Sequence, residues 1–248
     1  MNDSIESAVA GVHRDAHVRS QLERYVRLLL EHNARINLTG ARDAAAVAEH
    51  LRDSLALAPY VRDPLVDVGS GGGFPGIPLA IATGIAVTLI EATLKKARFL
   101  EIVADELGLR VTVLAARAET VAQEPGFRER FASVTARAVA SAPAVMELTL
   151  PFLEIGGLAV LQRGELDYTE LIAAADAALI LGGGLLEEVA LERGRRIVLV
   201  GKRAATPGRF PRRPGIPEKR PLARDRRDVN GVVQLVSEPA DLGAGARG

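Results

Sequence analysis

The rhythm of apolar and polar positions changes twice along the chain. In the first sixty residues the apolar positions recur at helical spacing. Val18, Leu22, Tyr25, Val26, Leu29 and Leu30 form one stripe, with Arg19, Glu23, Arg24 and Arg27 between them. This pattern predicts helices over residues 4–62. Helix formation stops near Asn33, a turn runs through RINLTGARD, Asp43 caps AAAVAEHLRDSLALA, and Pro59 ends it. From Leu65 onward, short apolar runs alternate with helical patterns. LVDV, AVTLIE, VTVLAARAE, FASVTARAV and LAVLQR read as five strands. The third ends near Ala118 and Glu119, the fourth near Arg137, and the fifth begins after a turn at Gly156 and Gly157. The helical patterns between them start at Pro75, in ATLKKARFLEIVADELG (stopped by Gly108), after Arg137, and over 167–181. LLEEVALE and RIVLVGK suit a terminal antiparallel pair. Such alternation implies an α/β, Rossmann-like fold: a mostly parallel twisted sheet with helices on both faces, here with an N-terminal helical appendage. Right-handed crossovers then gather Asp67, Gly69, Glu91, Glu119 and Arg137 at one edge of the sheet. After Gly201 the rhythm is lost. ATPGRFPRRPGIPEKRPL carries five prolines and is expected to be extended rather than globular, and the final PADLGAGARG to be disordered. Three regions result: a helical appendage (1–63), an α/β domain (64–204) and a basic proline-rich tail (205–248).

The stretch LVDVGSGGGFPGIP joins the first strand to its helix. Glycine permits the positive φ angles of a tight turn and lets a ligand touch the backbone, and Pro75 suits the first helical turn. A dinucleotide fold needs Gly-x-Gly-x-x-Gly directly after the strand, but here that register begins only at Gly71, two residues late. Asp-x-Gly-x-Gly-x-Gly is filled by Asp67, Gly69, Gly71 and Gly73, the turn of enzymes that use S-adenosylmethionine (SAM). An acid at the strand end suits a cofactor with a cationic amino group and no pyrophosphate. Glu91, ending the second strand, is placed for ribose hydroxyls with either cofactor.

Composition narrows the chemistry. The 248 residues, 48% hydrophobic, suffice for one large domain or a domain with an appendage. The absence of cysteine excludes disulfides, thiolate zinc sites and cysteine nucleophiles. No metal is expected. The acidic N-terminus does not read as a signal peptide. The longest apolar stretch, 171–186, contains Asp176 and three glycines and is too short and polar to span a membrane. The expectation is a cytoplasmic monomer. Formal net charge is zero, but between Arg193 and Asp228 thirteen Lys or Arg face three acids, a difference of +10. That segment reads either as a solvated tail or as a phosphate-contacting one. On α-helical spacing alone, His50 and Asp53 share a helix face and read as a surface pair.

These segments together resemble the RsmG (GidB) methyltransferases, which make 7-methylguanosine in 16S ribosomal RNA of the bacterial small subunit. The resemblance runs from about Tyr25 to Leu222. INLTGARD, EHLRDSLALAPYV, DVGSGGGFPGIPLAIA, EATLKKARFLEIVADELGL, RAE at 117–119, TARAVA at 135–140, LPFLEIGG and the proline-arginine tail carry it. It implies a class I SAM-dependent methyltransferase fold and assigns roles by position. Gly69 and Phe74 would line the methionine and ribose side of SAM. Glu91, Ala92 and Thr93 would hold the ribose, and Ala118 and Glu119 would flank the adenine. Arg137 would lie near the transferred methyl, and Asn37, His50, Asp53 and Ser54 would form an active-site wall. Lys95, Lys96, Arg163, Arg209, Arg212, Arg213, Lys219 and Arg220 would meet RNA. The family has Lys-Gly after the fifth strand, whereas Arg163-Gly164 stands here. Both are cationic but hydrogen-bond differently.

The residues also limit the reaction. Guanine N7 has a free lone pair and no proton, so its methylation needs alignment rather than a base. Pyrimidine C5 methylation normally needs a cysteine. Amino-group methylation usually accompanies an Asn/Asp-Pro-Pro-aromatic turn, where this chain has Thr135, Ala136, Arg137 and Ala138. The alternatives are a methyltransferase of another substrate, which would not need the basic tail, and a non-catalytic RNA-binding assembly factor, which would not need the intact glycine set.

Overall fold

The computed structural model describes residues 2–137, 140–191 and 194–222. The final stretch PADLGAGARG lies outside them, as do Arg193, Arg224, Arg226 and Arg227 of the basic run. In chain order the elements are α1 (Asn2–Val9), α2 (Ala16–Ile36), α3 (Ala44–Leu55), β1 (Leu65–Val68), α4 (Gly76–Thr83), β2 (Val87–Ile90), α5 (Leu94–Leu107), β3 (Val111–Leu114), α6 (Ala118–Val121), β4 (Phe131–Arg137), α7 (Ala142–Thr149), β5 (Leu153–Arg163), α8 (Tyr168–Ile180), β6 (Gly183–Ala190), β7 (Arg196–Lys202) and α9 (Ile216–Lys219). Local chemistry sets the boundaries. Asp15, Asp43 and Asp167 accept N–H bonds at the starts of α2, α3 and α8. Gly84 and Gly108 end α4 and α5 in the left-handed conformation.

The strands form one sheet in the order β3-β2-β1-β4-β5-β7-β6. The first five are parallel and β7 runs antiparallel between β5 and β6. The order reverses between β1 and β4, so the crevice beyond their carboxyl ends is the expected ligand site.

Two cores lie on the two faces. On one, Leu22, Tyr25, Leu29 and Leu51 of the N-terminal helices join Ile77, Phe99 and Leu100 over Leu65, Leu89 and Val160. Helices α1–α3 thus share a continuous core with α4 and α5. On the other face α6, α7 and α8 cover Val66, Ile90, Val134 and Leu161. Phe210 of the tail, only 5% exposed, belongs to this second core.

Residues 203–222 therefore correct the expectation of an extended, unpacked segment. They form a strap fastened by polar contacts as well as by Phe210. Arg128 donates to the carbonyls of Phe210 and Thr206 at 2.7 Å each, and Gln123 donates to that of Pro211 at 2.8 Å. Arg212 donates through its backbone N–H and its guanidinium to Glu147, which is fully buried. Prolines remove backbone donors but leave carbonyls, and here side chains reach in to bind those carbonyls.

Three boundaries differ from the sequence expectation. Helix α2 continues one turn past Asn33, because the Asn33 side chain bonds forward to the Leu38 and Thr39 N–H groups and the Thr39 and Ala41 carbonyls. Strand β3 stops at Leu114, and Ala118 and Glu119 open α6. Gly156 and Gly157 do not separate β5 from a preceding loop. They make an irregularity inside it, with Phe131 opposite Leu153 and Ser133 opposite Leu158.

Candidate active site

The loop after β1 holds Gly69, Gly71 and Gly73 at φ 71°, 57° and 105°. These glycines have different reasons to lack a side chain. A Cβ at Gly73 would meet Ile77 at 2.7 Å and Tyr25 at 3.0 Å, and one at Gly76 would meet Leu89 at 2.4 Å. Those positions are closed by packing. A Cβ at Gly71 would have only the Gly69 carbonyl within reach, at 3.9 Å, so it would project into open space before the loop. Glu91 braces this loop: its Oε2 accepts the Gly71 N–H at 2.9 Å and its Oε1 accepts the Thr93 N–H at 2.7 Å. A carboxylate oxygen can accept a second bond, so Glu91 keeps capacity for ligand hydroxyls. From the other side, the buried Tyr25 hydroxyl donates to the Gly72 carbonyl at 2.7 Å.

Asp67 is completely buried beneath the loop. Its Oδ1 accepts from Thr135 Oγ1 at 2.9 Å, across the β1–β4 pairing that sets the two residues side by side. Its Oδ2 lies against the Gly76 backbone but makes no well-formed hydrogen bond among the described residues. Burial pushes this carboxyl up to about 6, against the lowering pull of its hydrogen bonds and of the Arg137 charge. An unpaired, buried carboxylate oxygen under an open glycine loop suits a ligand that brings a cationic group, and a sulfonium amino acid such as SAM carries one.

Phe74 lies at the centre of the facing wall. The Arg137 guanidinium sits 5.2 Å above its ring centroid, the Tyr25 ring is 5.5 Å away, and the His50 ring meets it edge-on at 5.4 Å. Burial, aided by the charges of Arg137 and Arg195, lowers His50 to about 4, so its imidazole is neutral at pH 7. Burial also lowers Arg137, whose Nη1 has no partner among the described residues. A cleft of about 290 Å³ opens here, lined by His50, Asp53, Arg137, Gln162, Arg163, Gly164 and Arg195. Asp53 is ion-paired with Arg195. Arg163 donates to the Ala140 carbonyl at 2.6 Å and reaches Glu170 at 3.2 Å.

The structure thus brings His50, Asp53, Phe74, Arg137 and Arg163 together at the β4–β5 end, beside Asp67, Gly69, Gly71 and Glu91. Ser54 is buried in the same helix and donates to the His50 carbonyl. Ala92 and Thr93 are exposed just past β2, followed by exposed Lys95 and half-buried Lys96. Ala118 is buried at the start of α6, and Glu119 Oε1 accepts the Gly215 N–H of the strap at 2.7 Å. Asn37 is exposed and caps α2 at φ 50°. Arg212 is engaged with Glu147, while Arg209, Arg213, Lys219 and Arg220 are exposed. Reading the sequence missed Tyr25 as a loop support, and Arg195 and Gln162 as cleft residues. A polar Gln162 within LAVLQ was the one available signal. A larger hollow of about 450 Å³ between α1, α2 and the turn before α3 holds none of the expected residues. Among the described residues no helix is long and apolar enough to cross a membrane, and no cluster of His, Cys, Asp or Glu could hold a metal.

The chain is similar to proteins of one family and to solved structures of the same fold. The profile of the GidB family, described as rRNA small subunit methyltransferase G, matches residues 18–198. Proteins named ribosomal RNA small subunit methyltransferase G are similar along most of their length. That of Chloroflexus aggregans is 46% identical, covering 88% of this chain and 96% of its own. That of Rubrobacter xylanophilus is 44% identical, covering 86% and 87%. Among solved structures, M. jannaschii TYW2 in complex with AdoMet is similar with a TM-score of 0.52 at 17% identity, covering 69% of this chain and 80% of its own. A methyltransferase from Pyrococcus furiosus reaches 0.50 at 12% identity, covering 75% and 99%. These structures share the fold.

Proposed function

Since the chain belongs to the GidB family of rRNA small subunit methyltransferases, we propose that it transfers the methyl group of SAM to N7 of a guanine in 16S rRNA of the small subunit. One observation supports this reading above the others. A glycine loop over an unpaired buried carboxylate adjoins a cationic cleft at the β1–β4 switch point. SAM, when bound, supplies an electrophilic methyl on a sulfonium. Asp67 and the Gly69–Gly71 loop would hold its amino acid end, Glu91 with Ala92 and Thr93 its ribose, and Ala118 with Glu119 its adenine. Phe74 would line the methionine and ribose side, and Arg137, stacked on its ring, would lie near the transferred methyl. The base enters among His50, Asp53, Arg137 and Arg163, with Asn37 at the outer wall. Guanine N7 carries a free lone pair and no proton, so the transfer asks no proton acceptor of the protein. The protein therefore aligns and desolvates rather than abstracts. Neutral His50 adds no further positive charge beside a base that becomes cationic, and Asp53 offsets Arg195. Region 1–63 acts as wall, 64–204 as catalytic domain, and 205–248, its part up to Leu222 packed on that domain, as RNA-contacting tail of a cytoplasmic monomer.

The direct test supplies purified enzyme with methyl-labelled SAM and small subunits, then analyses the nucleosides. Labelled 7-methylguanosine is expected. Label on a different nucleoside, or none, defeats the proposal.

Two narrower predictions follow from the geometry. Gly71→Val places its side chain in open space before the loop, at a φ that L residues resist, so SAM binding should be lost while the domain stays folded. Tight SAM binding by this variant, measured by calorimetry, removes the loop from the site. RNA contact concerns the exposed cations Lys95, Arg209, Arg213, Lys219 and Arg220, together with half-buried Lys96 and with Arg163 at the cleft. Replacing Arg209 and Arg213 by alanine should reduce the salt slope of log K for subunit binding by about 1.4–1.8, two contacts at about 0.7–0.9 each. An unchanged slope leaves those arginines as solvated surface.

A further inference from the structure

Gln162 is 4% exposed, and neither its Oε1 nor its Nε2 has a hydrogen-bond partner among the described residues. A buried carboxamide with both ends unsatisfied is costly, and native proteins rarely keep one without use. It lines the cleft. It also stands directly beside Arg137 in the β4–β5 pairing, so both side chains leave the same face of the sheet at its carboxyl edge. Arg137 Nη1 and Arg163 Nε are unpartnered as well. The remaining reach of Arg163 is spent on the Ala140 carbonyl and Glu170. Among the polar side chains of β5 that line the cleft, Gln162 is the one free at both ends.

We infer that Gln162 is a specificity-determining residue that holds the target guanine by its O6–N1 edge; this rests on the guanine reading above. A carboxamide carries one acceptor and a donor amide side by side. Nε2–H donates to guanine O6, and Oε1 accepts guanine N1–H. That bidentate grip engages the edge next to N7 while leaving the N7 lone pair uncovered for attack. Adenine presents an amino group and a bare N1 at the same places. A rotated carboxamide could satisfy those, but Arg137 and Arg163 only donate, and an adenine amino group facing them would leave donors opposed to donors. Gln162 and the two arginines together therefore select the purine with a carbonyl.

The test compares wild type with Gln162→Leu and Gln162→Met, which keep the bulk and remove the unpaired amide. Thermal midpoint and SAM affinity should be unchanged or improved, because an unsatisfied buried group is gone. Methyl transfer to small subunits should fall by roughly 10–100-fold in kcat/KM, the range of a lost bidentate base contact. Transfer within twofold of wild type in either variant overturns the inference. So does a loss of transfer matched by lower midpoints and weaker SAM binding in both variants, since Gln162 would then be structural. If wild type itself labels a nucleoside other than 7-methylguanosine, the guanine reading fails first, and this result is distinct from wild-type 7-methylguanosine with undiminished variants.

Discussion

Arg212→Ala is expected to destabilise the protein by about 3–5 kcal/mol, the range for removing one partner of a buried ion pair. Glu147 is fully buried on α7 and among the described residues takes its side-chain bonds from Arg212: the backbone N–H at 2.7 Å, Nε at 2.9 Å and a terminal nitrogen at 2.5 Å. The same guanidinium donates to the Arg220 carbonyl and ties the strap to itself. Without it, the buried Glu147 carboxylate is left with no cation beside it. For a domain of this size each kcal/mol moves the thermal midpoint by roughly 2–4 °C, so the change is readily measured. Arg213→Ala, one residue on and exposed, should stay within about 0.5 kcal/mol of wild type. Pairing Arg212→Met with Glu147→Gln should recover much of the loss. Equal urea midpoints for Arg212→Ala and wild type would show that the pair does not hold the strap. Cutting the chain after Lys202 goes further. It unpairs Glu147, uncovers the Phe210 site, strands the Arg128 donors and frees Glu119 from Gly215. Such a truncation is expected to lose SAM binding together with stability, which a purely RNA-contacting tail would not do.

The contrast between Arg212 and Arg213 shows where sequence reading reaches its limit. Both stand in one basic, proline-rich stretch, and composition cannot tell which guanidinium meets a buried acid 65 residues away. The α/β alternation was legible because a parallel sheet buried on both faces leaves continuous apolar runs such as LVDV and FASV between helical patterns. The Rossmann-like class followed from that order, whereas the class I SAM methyltransferase fold was implied by the glycine register and the family resemblance. Helix starts were legible where Asp43 and Asp167 cap them. Harder to see were contacts that cross the topology. Tyr25 reads as one more apolar position on a helix stripe, yet its hydroxyl holds the Gly72 carbonyl. Glu119 reads as a strand end, yet it opens α6 because β3 stops once its partner β2 does. Gln162 breaks an apolar strand by a single residue, too little to mark a cleft until β4 places Arg137 beside it.

Asp67 should make SAM affinity depend on pH in a direction that its surroundings fix. In the free protein burial holds its carboxyl at about 6, against 3.8 for the ordinary group. The native state therefore binds the extra proton between those values. Stability from this residue is greatest at low pH and declines as pH rises from about 4 to about 6, by an amount on the order of 3 kcal/mol at most. A cation bound at the loop favours the ionised carboxylate and reverses that balance. SAM affinity should be level above pH 6 and weaken below it, by up to about tenfold per pH unit. His50 stays neutral down to about 4, so it does not titrate in the interval from pH 5 to 7.5 in which Asp67 changes charge. Asp67→Asn keeps the shape and the Thr135 neighbour but cannot ionise. It should bind SAM roughly 10–100-fold more weakly at pH 7.5, the scale of a charged hydrogen bond, with no further weakening at pH 5. It should also relieve the rise in instability between pH 4 and 6. Calorimetric titrations at pH 5, 6 and 7.5 for both proteins decide the matter. Wild-type affinity that does not change across this interval would mean the cofactor's charge is met elsewhere, and Asp67 would then serve only to anchor β1 to β4 through Thr135.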